Sequence, residues 1–340
     1  MGWALSSPWR TRTTNLEIFS ANETAALTSC WQTGRVIVVV APGQGSQTPG
    51  FLDPWIAESR FKEHLEAISD RLGMDLVKHG TISDADTIRD TAIAQPLIVA
   101  AGLLAYQGLI PDKGRPAIGG VAGHSVGEIT ASVAAGILGE EDALRFVTQR
   151  SRGMADAAKL HETGMSAVIG GDEDALLAQL AELDLAPANF NGGGQIVVAG
   201  ALAALARLAE DPPSGSRVIP LQVAGAFHTH FMEPSVEALR EVATSIWASD
   251  PELPIWTNRD GSIVESGTTF VDLMVSQVTS PVRWDLTMAA MHEAGVTGLI
   301  ELAPAGALTG LARRGLKGVP TVAIKTPDDL AAAHDMMNGN

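Results

Sequence analysis

A single cysteine, Cys30, in 340 residues leaves no partner for an internal disulfide and no thiolate set for a metal. That usage fits a reducing, cytoplasmic compartment. Positive charge is also scarce: 23 Lys and Arg face 39 Asp and Glu, the net charge is −16, and the basic residues never form a run. Nucleic acid and anionic membranes are therefore not expected as partners. Long apolar runs are missing too. The longest, Pro96 to Tyr106, stops well short of the roughly 20 residues that cross a bilayer. What remains is 46% hydrophobic and 18% charged, a globular balance, in a chain long enough for one large domain carrying a smaller insert. A monomer is expected.

Residues 1–35 carry three of the seven Trp together with Ser, Thr and Arg, without helical or strand periodicity and without the apolar centre of a secretory signal. They read as a poorly ordered N-terminal extension that can be deleted without loss of folding or activity. The domain opens on Val36-Ile37-Val38-Val39-Val40-Ala41, a β-branched run suited to a central parallel strand. It ends in Pro42-Gly43-Gln44-Gly45-Ser46-Gln47, whose glycine spacing does not match a dinucleotide-binding loop.

The stretch Gly123-His124-Ser125-Val126-Gly127 has the Gly-x-Ser-x-Gly form of a nucleophile elbow, a tight strand-to-helix turn that exposes a serine hydroxyl. Glu140 to Ala158 reads as an amphipathic helix whose apolar stripe, Phe146, Val147, Met154 and Ala158, includes Arg150. An arginine there needs an anion: a core carboxylate or a ligand, unless its stem runs out to solvent. Arg152 points away and reads as solvated.

From 163 to 223 the pattern becomes β-α-β-β-α-β, the ferredoxin-like order, in the size of a small insert. The core is thus read as 36–162 and 224–330, interrupted by 163–223, with 331–340 a frayed C-terminal tail. The chain re-enters the core on Ala226-Phe227-His228-Thr229-His230. Two histidines at i and i+2 lack an acidic or thiolate ligand at matching spacing, so no metal site is read there. Elbow hydrolases run Ser, acid, His, but the acids after the arginine helix belong mostly to the insert. A Ser125–His228 dyad follows, with something other than a carboxylate holding the imidazole.

Together, Gly43-Gln44-Gly45-Ser46-Gln47, Ala94-Gln95-Pro96, Gly123 to Glu128, Arg150 four before Met154, Asn189 to Gln195, Ala226-Phe227-His228, and Gln277 ahead of Pro281-Val282-Arg283-Trp284 resemble the malonyl-CoA:acyl-carrier-protein transacylases. The likeness runs from Val36 to Ile324. It implies an α/β-hydrolase-like core with a parallel sheet and an inserted ferredoxin-like subdomain. Ser125 would carry the malonyl group, His228 would exchange its proton, and the amides of Gln44 and Val126 would form the oxyanion hole. Arg150 would hold the malonyl carboxylate and the Gln277 carbonyl would orient His228. Gln95, Asn189, Asn191 and Phe227 would line the cleft, Phe227 crowding an α-methyl group. The resemblance implies malonyl-CoA and phosphopantetheinylated acyl carrier protein as substrates, with no cofactor. A serine esterase or thioesterase, a polyketide acyltransferase using another extender, and an inactive carrier-docking module are the rival readings. An acidic carrier meeting a chain of −16 would need a local basic patch; Arg313, Arg314 and Lys317 are candidates, against the plainer reading of a solvated helix end.

Overall fold

The computed structural model describes residues 34–110 and 118–339, so nearly all of the expected N-terminal extension lies outside the described residues. The strands are β1 (Ile37–Ala41), β2 (Gly120–Gly123), β3 (Thr163–Gly170), β4 (Ala186–Gly192), β5 (Gln195–Ala201), β6 (Ser216–Pro220), β7 (Ile255–Trp256), β8 (Val282–Arg283), β9 (Gly298–Glu301) and β10 (Thr321–Ala323). Helices of eight or more residues are α1 (Ser59–Leu72), α2 (Thr91–Leu109), α3 (Gly127–Ala134), α4 (Glu140–Ala158), α5 (Glu173–Leu183), α6 (Leu202–Glu210), α7 (Val236–Thr244), α8 (Gly267–Ser276), α9 (Trp284–Glu293), α10 (Ala307–Gly315) and α11 (Leu330–Asn338).

Five strands in the order β10-β9-β1-β2-β7 form an all-parallel sheet. Its centre is β1, where the β-branched run is buried on both faces because helices cover both. Strands β1 and β2 end side by side, pairing Ala41 with Gly123, so the Gly43–Ser46 loop and the elbow leave the same edge of the sheet. That edge is where open α/β sheets place their sites. Helix α2 is apolar enough and, at 19 residues, long enough to cross a membrane, yet 78% of its most apolar window is buried inside the protein.

The second sheet has the order β6-β3-β5-β4-β8. Its first four strands are antiparallel and carry α5 and α6 on one face, the ferredoxin-like arrangement. The period-2 alternation explains the layering: Val168, Ile196 and Val198 pack on Leu176, Leu180, Leu205 and Leu208, while Met165, Ala167 and Val197 face the parallel domain. The fifth strand, β8, comes from the returning core and pairs in parallel with β4 at Asn189–Val282 and Phe190–Arg283. A two-residue strand carries no periodicity, so this tie between the sheets is not visible in the sequence.

One expectation is corrected. Residues 331–338 are helical rather than frayed: α11 runs to Asn338 and buries Leu330, Ala333 and Met337, spaced for one helical face, while Asn340 lies outside the described residues. Leu330 and Phe61 both fill the space left by the missing Cβ of Gly108 on α2, and His334 hydrogen-bonds the Leu109 carbonyl at 3.0 Å.

Helix α10, which walls the cleft described below, begins on a buried carboxylate. Glu301, fully buried at the end of β9, accepts from the amides of Gly306, Leu308 and Thr309 at 2.8, 2.9 and 2.8 Å. These are donors a helix start leaves unpaired, and the negative charge suits that end of the helix. Glu301→Gln turns one acceptor into a donor facing them; a stability loss of about 3 kcal/mol is expected in urea unfolding. A loss below about 0.5 kcal/mol would show that the cap does not hold α10.

Candidate active site

Strand β2 delivers Ser125 through a turn that tolerates no other residue at its glycines. A Cβ on Gly123 would lie 2.0 Å from the Gly127 carbonyl carbon, and one on Gly127 2.1 Å from the Ala41 carbonyl oxygen. Ser125 itself sits at φ 54°, in the left-handed region, as a strained elbow requires. The strain is held by Asn258, just past β7, whose side-chain oxygen accepts from the Ser125 amide at 2.7 Å while its nitrogen donates to the Gly123 carbonyl at 2.6 Å.

His228 arrives from the opposite side, at the chain's return from the ferredoxin-like subdomain, and also has positive φ, 61°. Thr163 Oγ1 accepts from the Ala226 amide, and Thr229 Oγ1 donates to the Ala226 carbonyl, pinning this tight loop. His228 Nε2 lies 2.7 Å from Ser125 Oγ. Its Nδ1 lies 2.9 Å from the backbone carbonyl of Gln277. A carbonyl only accepts, so Nδ1 carries the proton and Nε2 is left to accept from the serine hydroxyl. Burial, followed by the nearby Arg150 charge, pushes the imidazole down to about 3. It is therefore a neutral base through the whole neutral range. His230, two residues on, is exposed, so the two histidines do not converge.

Arg150 lies at 1% exposure on the inner face of α4, and its stem does not reach solvent. Nη1 donates to Gln95 Oε1 at 2.7 Å; Nη2 donates to Gln277 Oε1 at 2.8 Å and to Ser125 Oγ at 3.2 Å. All three partners are neutral. Among the described residues no carboxylate touches the guanidinium directly; the nearest acid in the network, Glu128, is reached through Gln277. Burial pulls Arg150 down to about 10 against the opposing Glu128 charge, which leaves it cationic at neutral pH.

Glu128, in the first turn of α3, and Asn258 are the two network members the sequence reading gave no role. Glu128 accepts from the Asn258 amide at 2.6 Å and from Gln277 Nε2. Burial pushes its carboxyl up to about 8, against the Asn258 amide, the Arg150 charge and Gln277. An acid inside the elbow motif and an asparagine beyond a sheet strand were the available signals; their meeting, 130 positions apart, was not one.

In front of Ser125 is a cleft of about 410 Å³ between the two sheets. Gln44, Gln95, Asn189, Asn191, Val126, Phe227 and His228 all line it. Gln44 is anchored by its side chain to Thr91 Oγ1 at 3.2 Å. Val126 is the N-cap of α3, so its amide precedes the helix's own hydrogen-bond ladder. Bulges in β4 on either side of Asn189-Phe190 re-aim this strand, and Asn191 meets His124 Nε2 at 3.0 Å across the domain boundary. Arg150 and Gln277 are not on the cleft surface but directly behind Ser125. Of the basic residues on α10, Arg314 lines the cleft mouth and donates to Gln195 at 3.1 Å, while Arg313 and Lys317 are exposed.

This geometry suits acyl transfer through a serine: an activated hydroxyl, a neutral base and a buried cation beside the same oxygen. Comparison with known proteins agrees. Residues 38–330 match the family model described as acyl transferase domain. Malonyl CoA-acyl carrier protein transacylase of Mycobacterium tuberculosis is 49% identical over 298 residues, 87% of this chain and 98% of that protein. A crystal structure of MCAT from Mycobacterium tuberculosis has TM-score 0.83 and 47% identity, covering 88% of this chain and 99% of that one. A type II PKS acyl-carrier protein in complex with its malonyl-transacylase, PlMCAT:AntF, matches with TM-score 0.83 and 30% identity over 90% of this chain and all of that one. With its elbow serine, its buried arginine and its inserted ferredoxin-like subdomain, the chain belongs to the acyl transferase domain family.

Proposed function

We propose that the protein moves a malonyl group from coenzyme A to the phosphopantetheine thiol of an acyl carrier protein, by way of a malonyl ester on Ser125. The observation that carries this reading is Arg150: a buried cation 3.2 Å from the nucleophile, satisfied only by neutral oxygens that an incoming carboxylate can displace. A hydrolase of simple esters has no use for it.

In the first half-reaction Ser125 Oγ attacks the thioester carbonyl while His228 Nε2 takes its proton. The amides of Gln44 and Val126 hold the developing oxyanion, and collapse expels coenzyme A, which takes the proton back from His228. The free carboxylate lies against Arg150 in a charge-assisted pair. In the second half-reaction the carrier's thiol repeats the sequence, and Ser125 leaves. The backbone carbonyl of Gln277 does the orienting that an acid does in a triad. Phe227 closes the acyl pocket against an α-methyl group, and Arg314 adds positive charge at the mouth, where phosphate-bearing substrates enter. The reading needs no cofactor, places the protein in the cytoplasm as a monomer, and has it supply extender units for fatty-acid synthesis.

Incubation with malonyl-CoA, with and without holo carrier protein, tests the reading. A stable malonyl-enzyme that discharges only onto the carrier is expected. Steady coenzyme A release without carrier, and no stable acyl-enzyme, would favour a thioesterase instead.

The depressed imidazole gives a second expected result. With acetyl-pantetheine, which has neither ionising phosphates nor a carboxylate for Arg150, kcat/KM should show no tenfold-per-unit acid limb near pH 6.5 down to about pH 5, because kcat/KM reports the free enzyme. A one-proton fall centred at 6–7 would mean that His228 is far better solvated than its burial implies.

A further inference from the structure

Glu128 is buried to 1% exposure and takes no part in the steps above. Both its oxygens accept from donors, one of them a fixed backbone amide. Oε1 accepts from the Asn258 backbone amide at 2.6 Å, and Oε2 from Gln277 Nε2. A neutral side chain could satisfy the Asn258 amide alone. Facing two donors at once with nothing but acceptors takes a carboxylate.

The consequence passes to Gln277. Its amide nitrogen donates most closely to Glu128, and at 3.3 Å to both the Ser125 carbonyl and Asn258 Oδ1, which leaves its amide oxygen facing Arg150 Nη2 at 2.8 Å. That same Nη2 is the atom 3.2 Å from Ser125 Oγ. The placement of one amide, held by Glu128 as the shortest of its nitrogen's three acceptors, thus holds the end of the guanidinium that faces the nucleophile. We infer that Glu128 is a positioning residue for malonyl selection, acting on Arg150 through the side chain of Gln277; this rests on reading Arg150 as the carboxylate clamp.

Glu128→Gln isolates the effect, because size and shape are kept while one acceptor becomes a donor. The Asn258 backbone amide cannot turn, so the remaining oxygen of residue 128 serves it and the new NH₂ group faces Gln277. The Gln277 amide then either turns over, presenting NH₂ to Arg150, donor against donor, or keeps its nitrogen on the Ser125 carbonyl and Asn258 Oδ1 and is pushed away from residue 128, taking its oxygen with it. Arg150 loses its acceptor and swings off the serine.

The test is a double-mutant cycle of Glu128→Gln and Arg150→Ala, reading kcat/KM for loading of Ser125 by malonyl-CoA and by acetyl-CoA. It is run at pH 9, between the values of about 8 for Glu128 and about 10 for Arg150, where both groups are charged. Glu128→Gln is expected to lower malonyl loading about tenfold or more and acetyl loading less than about threefold. In the Arg150→Ala background it should change malonyl loading by less than about twofold. Glu128→Asp, which keeps two acceptors, should retain more malonyl preference than Glu128→Gln and serves if the glutamine variant does not fold.

Equal losses for both acyl groups would overturn the inference, as would an undiminished effect in the Arg150→Ala background or an aspartate variant no more selective than the glutamine one. Should Arg150→Ala by itself spare malonyl loading, the clamp reading falls, and the inference with it. If Arg150→Ala impairs malonyl loading and Glu128→Gln does not, only the role of Glu128 is lost.

Discussion

Arg150→Ala is expected to lower kcat/KM for malonyl loading about 10²–10³-fold while acetyl loading is kept or raised. The magnitude follows from what the side chain faces. A malonyl carboxylate brought into a site at 1% exposure gives up its hydration, and only a charge-assisted, two-point contact with the guanidinium replaces it. Acetyl has no carboxylate to place, and without the arginine it enters a roomier, less polar site. The contrast between the two acyl groups separates this role from a structural one. Loss of malonyl and acetyl loading to the same degree would mean that Arg150 mainly supports Gln95, Gln277 and Ser125, to which it donates. Arg150→Lys should fall between, since lysine keeps the charge but not the fork.

The other large effect is at the nucleophile. Ser125→Ala should abolish the acyl-enzyme and cut transfer to the carrier on the order of 10⁵-fold or more, because the base and the oxyanion donors have nothing to act on. Folding should survive: alanine fits the same left-handed turn, whose close contacts are made by Gly123 and Gly127 and whose amide is held by Asn258. Rate assays over both half-reactions, on protein with an unchanged circular-dichroism spectrum, read the effect. Unchanged transfer would end the enzymatic reading and leave a carrier-docking protein.

The parts of this molecule visible in the sequence are those that local pattern determines. β1 is a β-branched run, the elbow is a five-residue geometry that only glycine permits, and Arg150 stands out by polarity on an otherwise apolar stripe of α4. The ferredoxin-like order showed in the alternation of short strands and helices. Pairings across long separations did not. β8 is two residues long and joins the sheets by pairing with a strand some ninety positions earlier. Three consecutive alanines and a polar end mask the spacing of Leu330, Ala333 and Met337 in α11, so the sequence predicts a frayed end there; the spacing makes sense only once α2 offers a surface for it.

The site divides in the same way. Ser125, His228 and Arg150 were recognisable by residue type and position, but what each one touches was not. The sequence asks for an anion at Arg150, from the core or from a ligand; within the protein its guanidinium donates to two glutamine oxygens and the serine, one step removed from Glu128. Asn258 has no distinguishing neighbours in the sequence, yet it braces the strained turn through both ends of its amide. Such second partners are set by tertiary geometry, and a single sequence holds no record of them.

Intact-protein mass spectrometry after brief exposure to malonyl-CoA, followed by peptide mapping, tests the central claim most directly. One malonyl group per chain, mapped to Ser125 and removed on addition of holo carrier protein, is the expected result. An unmodified protein, or an adduct on any other residue, would contradict it.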